Sequence, residues 1–195
     1  MLASTRGVPR IALALGGGGL IPFAFYAAQH DALINKGRGA GAPWGDEVLA
    51  RWQRHTGLPL SHLACGDQAT VRRRFTAYSA CILSFLGAVH WGPALAGASP
   101  VAGRQLVFGV LPSLLAWGAL CAPGDFGGSR AGTGPYTILC AGFLASFYVD
   151  NMAASLKPVA ALPPSYILLR APLTCAVVMA HCVAGVLSRE PSVSD

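Results

Sequence analysis

Charge-bearing and imidazole side chains lie within or at the ends of long apolar runs, among them His90, Asp150, Arg170 and His181. In hydrocarbon such groups are costly, face protein or water, and mark ion or proton paths when several line up. Asp150 closes one apolar run and Arg170 opens the next, with a short loop between them. Both therefore reach the same side of a membrane and can meet as an ion pair. Arg170, Thr174 and His181 share a face, because the eleven residues from Arg170 to His181 make close to three helical turns. One reading is a proton or ion relay through Asp150, Arg170 and His181. The other is a structural clasp that holds two helices in register. One acid and one base cancel, and no second acid continues a path, which favours the clasp. His90 could bind a metal, or pair with His181 around a haem, but no supporting motif accompanies either residue. A satisfied polar group near a helix end is the plainer reading of His90.

The elements that must position these residues are five apolar runs, at 9–28, 78–96, 106–121, 136–153 and 166–187. A hydrocarbon core of about 30 Å needs about 20 mostly apolar helical residues. The expected fold is an all-α integral membrane protein, a single domain over 1–195 with about five transmembrane helices and one long polar loop at 29–74. Hydrophobic residues make up 53% and charged residues 11%, against about 25% charged in an average soluble domain. Mean hydropathy is +0.51. A soluble domain of this size could not hide so much apolar surface.

Small residues indicate how the spans pack. Gly16, Gly17, Gly18 and Gly19 lack the following Lys-Ser/Thr of a phosphate-binding loop. In lipid they form a smooth surface for another backbone, with Pro22 bending the helix nearby. Ala80, Ser84, Ala88 and Gly92 recur every four residues, as do Gly142, Ser146 and Asp150, so each set is expected on a packing stripe. Pro112 predicts a kink in the third span. Cys65, Cys81, Cys121, Cys140, Cys175 and Cys182 form no CxxC pair and no zinc or iron–sulfur spacing. They read as small apolar residues. No disulfide, metal site, cofactor or catalytic residue is expected.

The net charge is +6. Arg72, Arg73 and Arg74 abut the second span, where topology-setting charges belong and where anionic lipids such as cardiolipin can bind. The positive-inside rule places the long loop on the matrix or cytoplasmic side. Within it, Asp46–His55 spaces Val48, Leu49 and Trp52 as a short amphipathic helix, with Trp52 available to headgroups or a partner. The basic, acid-free N-terminus resembles a presequence, but its apolar run continues to Ala28 and reads as an uncleaved span. Nucleic acid is not an expected partner.

Several of these segments together resemble one family. Leu15-Gly16 through Gly19-Leu20-Ile21-Pro22-Phe23 resembles the first-span signature of the transmembrane protein 69 family, also known as a domain of unknown function (number 3429). Tyr78 through Gly92, including Ile82-Leu83-Ser84-Phe85-Leu86-Gly87 and Trp91-Gly92, is similar to its central signature, with Ser79 and Ala88 standing where glycine is expected. Leu162-Pro163-Pro164-Ser165-Tyr166 through Arg170, with Leu173-Thr174 and the preceding Asp150, resembles its final span. The resemblance implies a bacterial or mitochondrial inner-membrane protein and carries no activity with it.

Three functional expectations follow. The first is a non-catalytic accessory subunit of a mitochondrial inner-membrane complex, a respiratory complex or the ATP synthase, with other membrane subunits as partners. The second is a small transporter or channel component with an Asp/Arg/His polar path. The third is a haem- or quinone-binding membrane protein.

Overall fold

The computed structural model describes residues 10–37, 51, 53–55, 57, 68–96, 102–122, 133–155 and 164–187. Among them lie six helices and no strand: α1 Arg10–Gly37, α2 Gln68–Ala88, α3 Trp91–Leu95, α4 Ala102–Cys121, α5 Gly134–Ser155 and α6 Pro164–Leu187.

Three of these helices, rather than the five expected, are long and apolar enough to cross a membrane by length and composition: Arg10–Gln29, Ala102–Cys121 and Ser165–Val186. What α2 and α5 carry explains the correction. The first turns of α2 hold Arg72, Arg73 and Arg74, and the helix stops at Ala88, so its apolar part is short. The expected continuation to Ala96 fails at Val89 and His90. There the amides turn to carbonyls three residues back, Val89 to Leu86 at 3.4 Å and His90 to Gly87 at 3.1 Å. Pro93 supports the break, since proline has no backbone N–H to donate to the carbonyl four residues earlier. In α5, Thr137, Ser146, Asp150 and Asn151 lower the hydropathy of an otherwise apolar helix.

Helix α1 also runs past the expected span to Gly37. At 1.5 Å per residue it is about 42 Å long, so its last turns extend beyond a core of about 30 Å. Of the short helix expected at Asp46–His55, Arg51, Gln53, Arg54 and His55 are helical and exposed. Gly57, at φ 66°, ends that turn by donating its amide to the Gln53 carbonyl at 3.0 Å, a left-handed cap that glycine adopts without strain. Asp46, Val48, Leu49 and Trp52 lie outside the described residues.

Helix α2 is the central element, packing against α1, α4 and α5. Helix α6 packs against α1 and α5, and short α3 lies on α4. The core gathers Phe23, Phe75, Leu83, Tyr136, Leu139 and Phe143, all nearly inaccessible. Helix α2 lies close on α4: a Cβ placed on Gly87 would lie 2.2 Å from the Gly109 carbonyl oxygen. A Cβ on Gly109 would in turn meet the Trp91 indole at 2.3 Å. Two glycines thus let the backbones touch and seat Trp91 over α4. Tyr78 ties α1 to α2 by donating its hydroxyl to the Gly19 carbonyl at 2.9 Å.

Candidate functional site

One end of the bundle holds a buried polar cluster drawn from three places in the chain. Asp150 comes from α5, five residues before its end at Ser155. Tyr166, Arg170 and Thr174 come from the first turns of α6, and His90 from the turn that separates α2 from α3. The antiparallel α5–α6 pair makes this convergence possible, because the end of one helix must face the start of the next. Asp150 is only 1% exposed and Arg170 4%.

One oxygen of the buried Asp150 carboxylate, Oδ2, accepts two hydrogen bonds, and the other, Oδ1, has no hydrogen-bond partner among the described residues. The Arg170 Nε donates to Oδ2 at 3.1 Å, and the Tyr166 hydroxyl donates to the same oxygen at 3.2 Å. His90 Nε2 stands 3.0 Å from Oδ1, within ion-pair distance. The other arm of Arg170 donates from Nη1 to Thr174 Oγ1 at 2.8 Å, and that hydroxyl donates back to the Arg170 carbonyl at 2.9 Å. The polar chain therefore closes on α6's own backbone at Thr174. Arg170 Nη2 is buried without a hydrogen-bond partner among the described residues, as is Gln105 Oε1 on α4.

His181 occupies a different environment. Its Nδ1 lies 2.8 Å from the Val177 carbonyl. A carbonyl only accepts, so Nδ1 carries the proton and Nε2 presents a bare lone pair, buried and without a partner. Four rings enclose it, with centroids at 4.7 Å for Phe75, 5.7 Å for Phe143, 5.8 Å for Phe23 and 6.0 Å for Tyr136. Arg170, Thr174 and His181 do share the inward face of α6, and all three are buried. His90 and His181 stand at different levels, however. His90 sits beside Asp150 and Arg170, and the eleven residues from Arg170 to His181 span roughly 16 Å. Among the described residues, no group of three or more His, Cys, Asp or Glu side chains converges on a point where a metal ion would sit.

The residues expected to pack helices fall in several places. Gly16 meets α6, where an added Cβ would lie 3.0 Å from Leu173 Cδ1, while Gly17, Gly18 and Gly19 have nothing within 4 Å of that position. Ala80 is buried, Ser84 half-buried, and Ala88 and Gly92 exposed. The crossing residue of this helix is Gly87, which the every-four pattern passes over. Gly142 faces Leu83, whose Cδ2 would lie 2.6 Å from an added Cβ, and Ser146 is buried nearby. Arg72 and Arg74 are half-buried and Arg73 exposed.

His90 and Tyr166 complete this cluster without a local sequence signal for their arrival at Asp150. The family model described as "Protein of unknown function (DUF3429)" matches residues 8–186, which covers every helix above apart from the last residue of α6. No match was found among curated proteins or among solved structures. With nearly the whole chain matched, this protein belongs to the DUF3429 family.

Proposed function

We propose that this chain is a non-catalytic subunit of a larger inner-membrane assembly, in mitochondria a respiratory complex or the ATP synthase, and a relative of the transmembrane protein 69 family. The observation that carries this reading is the pairing inside the polar cluster. Asp150 is neutralised by Arg170, flanked by His90 and Tyr166, and its polar chain returns to the α6 backbone at Thr174. Such an arrangement holds three segments in register and leads no charge onward. The outer faces fit a body that lives among lipids and other subunits: Ile11, Leu15, Val107, Leu114, Trp117, Leu168 and Val186 are all more than half exposed. Anionic lipid at Arg72, Arg73 and Arg74 belongs to the same reading, with that end of α2 on the matrix side.

Blue-native separation of mildly solubilised membranes, with mass spectrometry of the band that holds this chain, tests the proposal. Comigration with subunits of a large complex is the expected result. Migration near its own 20.1 kDa plus detergent at every detergent level would sink it.

One observation favours the transporter reading as second choice: the partnerless Nη2 of Arg170 leaves a buried cationic donor beside Asp150. Charge-neutral substitution of both Asp150 and Arg170 separates the two readings. Retained folding with lost solute flux supports transport, and unchanged assembly without any flux supports the subunit.

A further inference from the structure

The α5–α6 seam brings together a second pair of reactive groups, far from the polar cluster. Counting from the Asp150–Arg170 pair, Cys140 lies ten residues back along α5 and Cys182 twelve residues on along α6. Those offsets are roughly 15 Å and 18 Å along antiparallel helices, so the two cysteines are nearly level. Beyond them the seam is fixed again at Tyr136, whose Cδ2 would lie 3.9 Å from a Cβ on Gly185. Between these two anchors the thiols of Cys140 and Cys182 lie in hydrogen-bond contact, and both are free. Cys182 is exposed, on the part of α6 that is long and apolar enough to cross a membrane, and Cys140 on α5 is half-buried.

We propose that Cys140 and Cys182 form a site of oxidative modification whose co-reactant is a lipid peroxyl radical, and that its product is a disulfide that staples α5 to α6. This inference rests on the membrane placement of α6, not on the subunit role. Hydrocarbon disfavours a thiolate, which closes the ionic route by which thiols usually attack peroxides. Hydrogen-atom transfer needs the intact S–H bond, and it suits an apolar site. One peroxyl radical takes a hydrogen atom from Cys182 and leaves as a hydroperoxide. A second does the same at Cys140. The two thiyl sulfurs then pair their electrons in one S–S bond. Two radicals are reduced to two hydroperoxides, and two thiols are oxidised to one disulfide. Cys81, Cys121 and Cys175 are also exposed and serve as internal controls.

The test uses the full chain in vesicles of polyunsaturated phosphatidylcholine, with a lipid-soluble azo initiator to start peroxidation. Free thiols are alkylated and peptides mapped without reduction. The expected result is an intrachain Cys140–Cys182 disulfide, about tenfold above any other cysteine pairing and reversed by dithiothreitol. The same vesicles made from saturated lipid should show little of it. Free Cys140 and Cys182 in fully peroxidised vesicles would overturn the proposal, as would equal disulfide yield in saturated lipid. Because the wild-type chain carries the readout, no variant has to fold. Copper–phenanthroline oxidation in detergent probes the pairing geometry separately, so a misplaced seam and a wrong oxidant give different results. Neither outcome depends on what the chain comigrates with.

Discussion

Asp150 meets donors from two segments that are distant from it in sequence, and the consequences of removing each differ. Asp150→Asn strands the Arg170 guanidinium in the interior. By the behaviour of buried pairs, it should cost about 3–5 kcal/mol in equilibrium unfolding from mixed micelles. Asp150→Leu combined with Arg170→Met removes both charges and should sit closer to wild type than either single change. A double variant as unstable as the sum of the singles would refute the pairing. His90→Ala removes the group that stands at ion-pair distance from Oδ1 and should cost about 1–3 kcal/mol. The Asp150–Arg170 pair was legible in the sequence because opposite charges flank one short loop between consecutive apolar runs. His90 was not, because its approach depends on a helix break and a tertiary contact. The orphaned Arg170 Nη2 likewise has no signature in the chain.

Among the elements, α2 shows how far a repeating pattern can be trusted. Residues four apart advance 400°, so each step drifts about 40° around the helix and three steps drift about 120°. Ala80 is therefore buried while Ala88 and Gly92 have turned outward. Ala80, Leu83 and Gly87, at spacings of three and four, stay on one face, and all are buried. Gly87→Ala would push a Cβ into the Gly109 carbonyl. It should cost about 1–3 kcal/mol and force α2 from α4. Gly92→Ala meets open space and should be neutral or gain about 0.4–1 kcal/mol through a stiffer unfolded chain. Both values can be read from the same micelle titration. Helix existence was largely legible from hydropathy. The ends of α1 and α2 were not, since polar residues continue both helices beyond their apolar parts.

For the whole molecule, the number of helices able to enter a membrane unaided proved smaller than the apolar runs suggested. Polarity along α5 is tolerable where neighbouring helices bury it, at Ser146 and Asp150, whereas Arg73 at the head of α2 stays exposed. Helix α1 lies at the margin, with Gly17, Gly18 and Gly19 facing open space. If a neighbouring subunit covers that face, Gly18→Leu should leave the unfolding of the purified chain nearly unchanged, within about 0.5 kcal/mol. It should also shift the chain out of its high-molecular-weight band in blue-native gels. An unchanged band would place the contact elsewhere.

The buried ion pair also bears on biogenesis. As the chain leaves the ribosome, α5 appears with Asp150 before Arg170 has been made. An acid in an apolar helix raises the insertion free energy, by about 2.5–3.5 kcal/mol at the helix centre and by less towards the end where Asp150 lies, and α5 has little apolar surplus to offset it. On that balance α5 is expected to insert only together with α6, as a hairpin whose charges are already matched. A chain truncated before Pro164 should leave α5 poorly inserted in a glycosylation-site mapping assay, whereas the full chain inserts both helices. Efficient insertion of the truncated chain would show that α5 needs no counter-ion to enter.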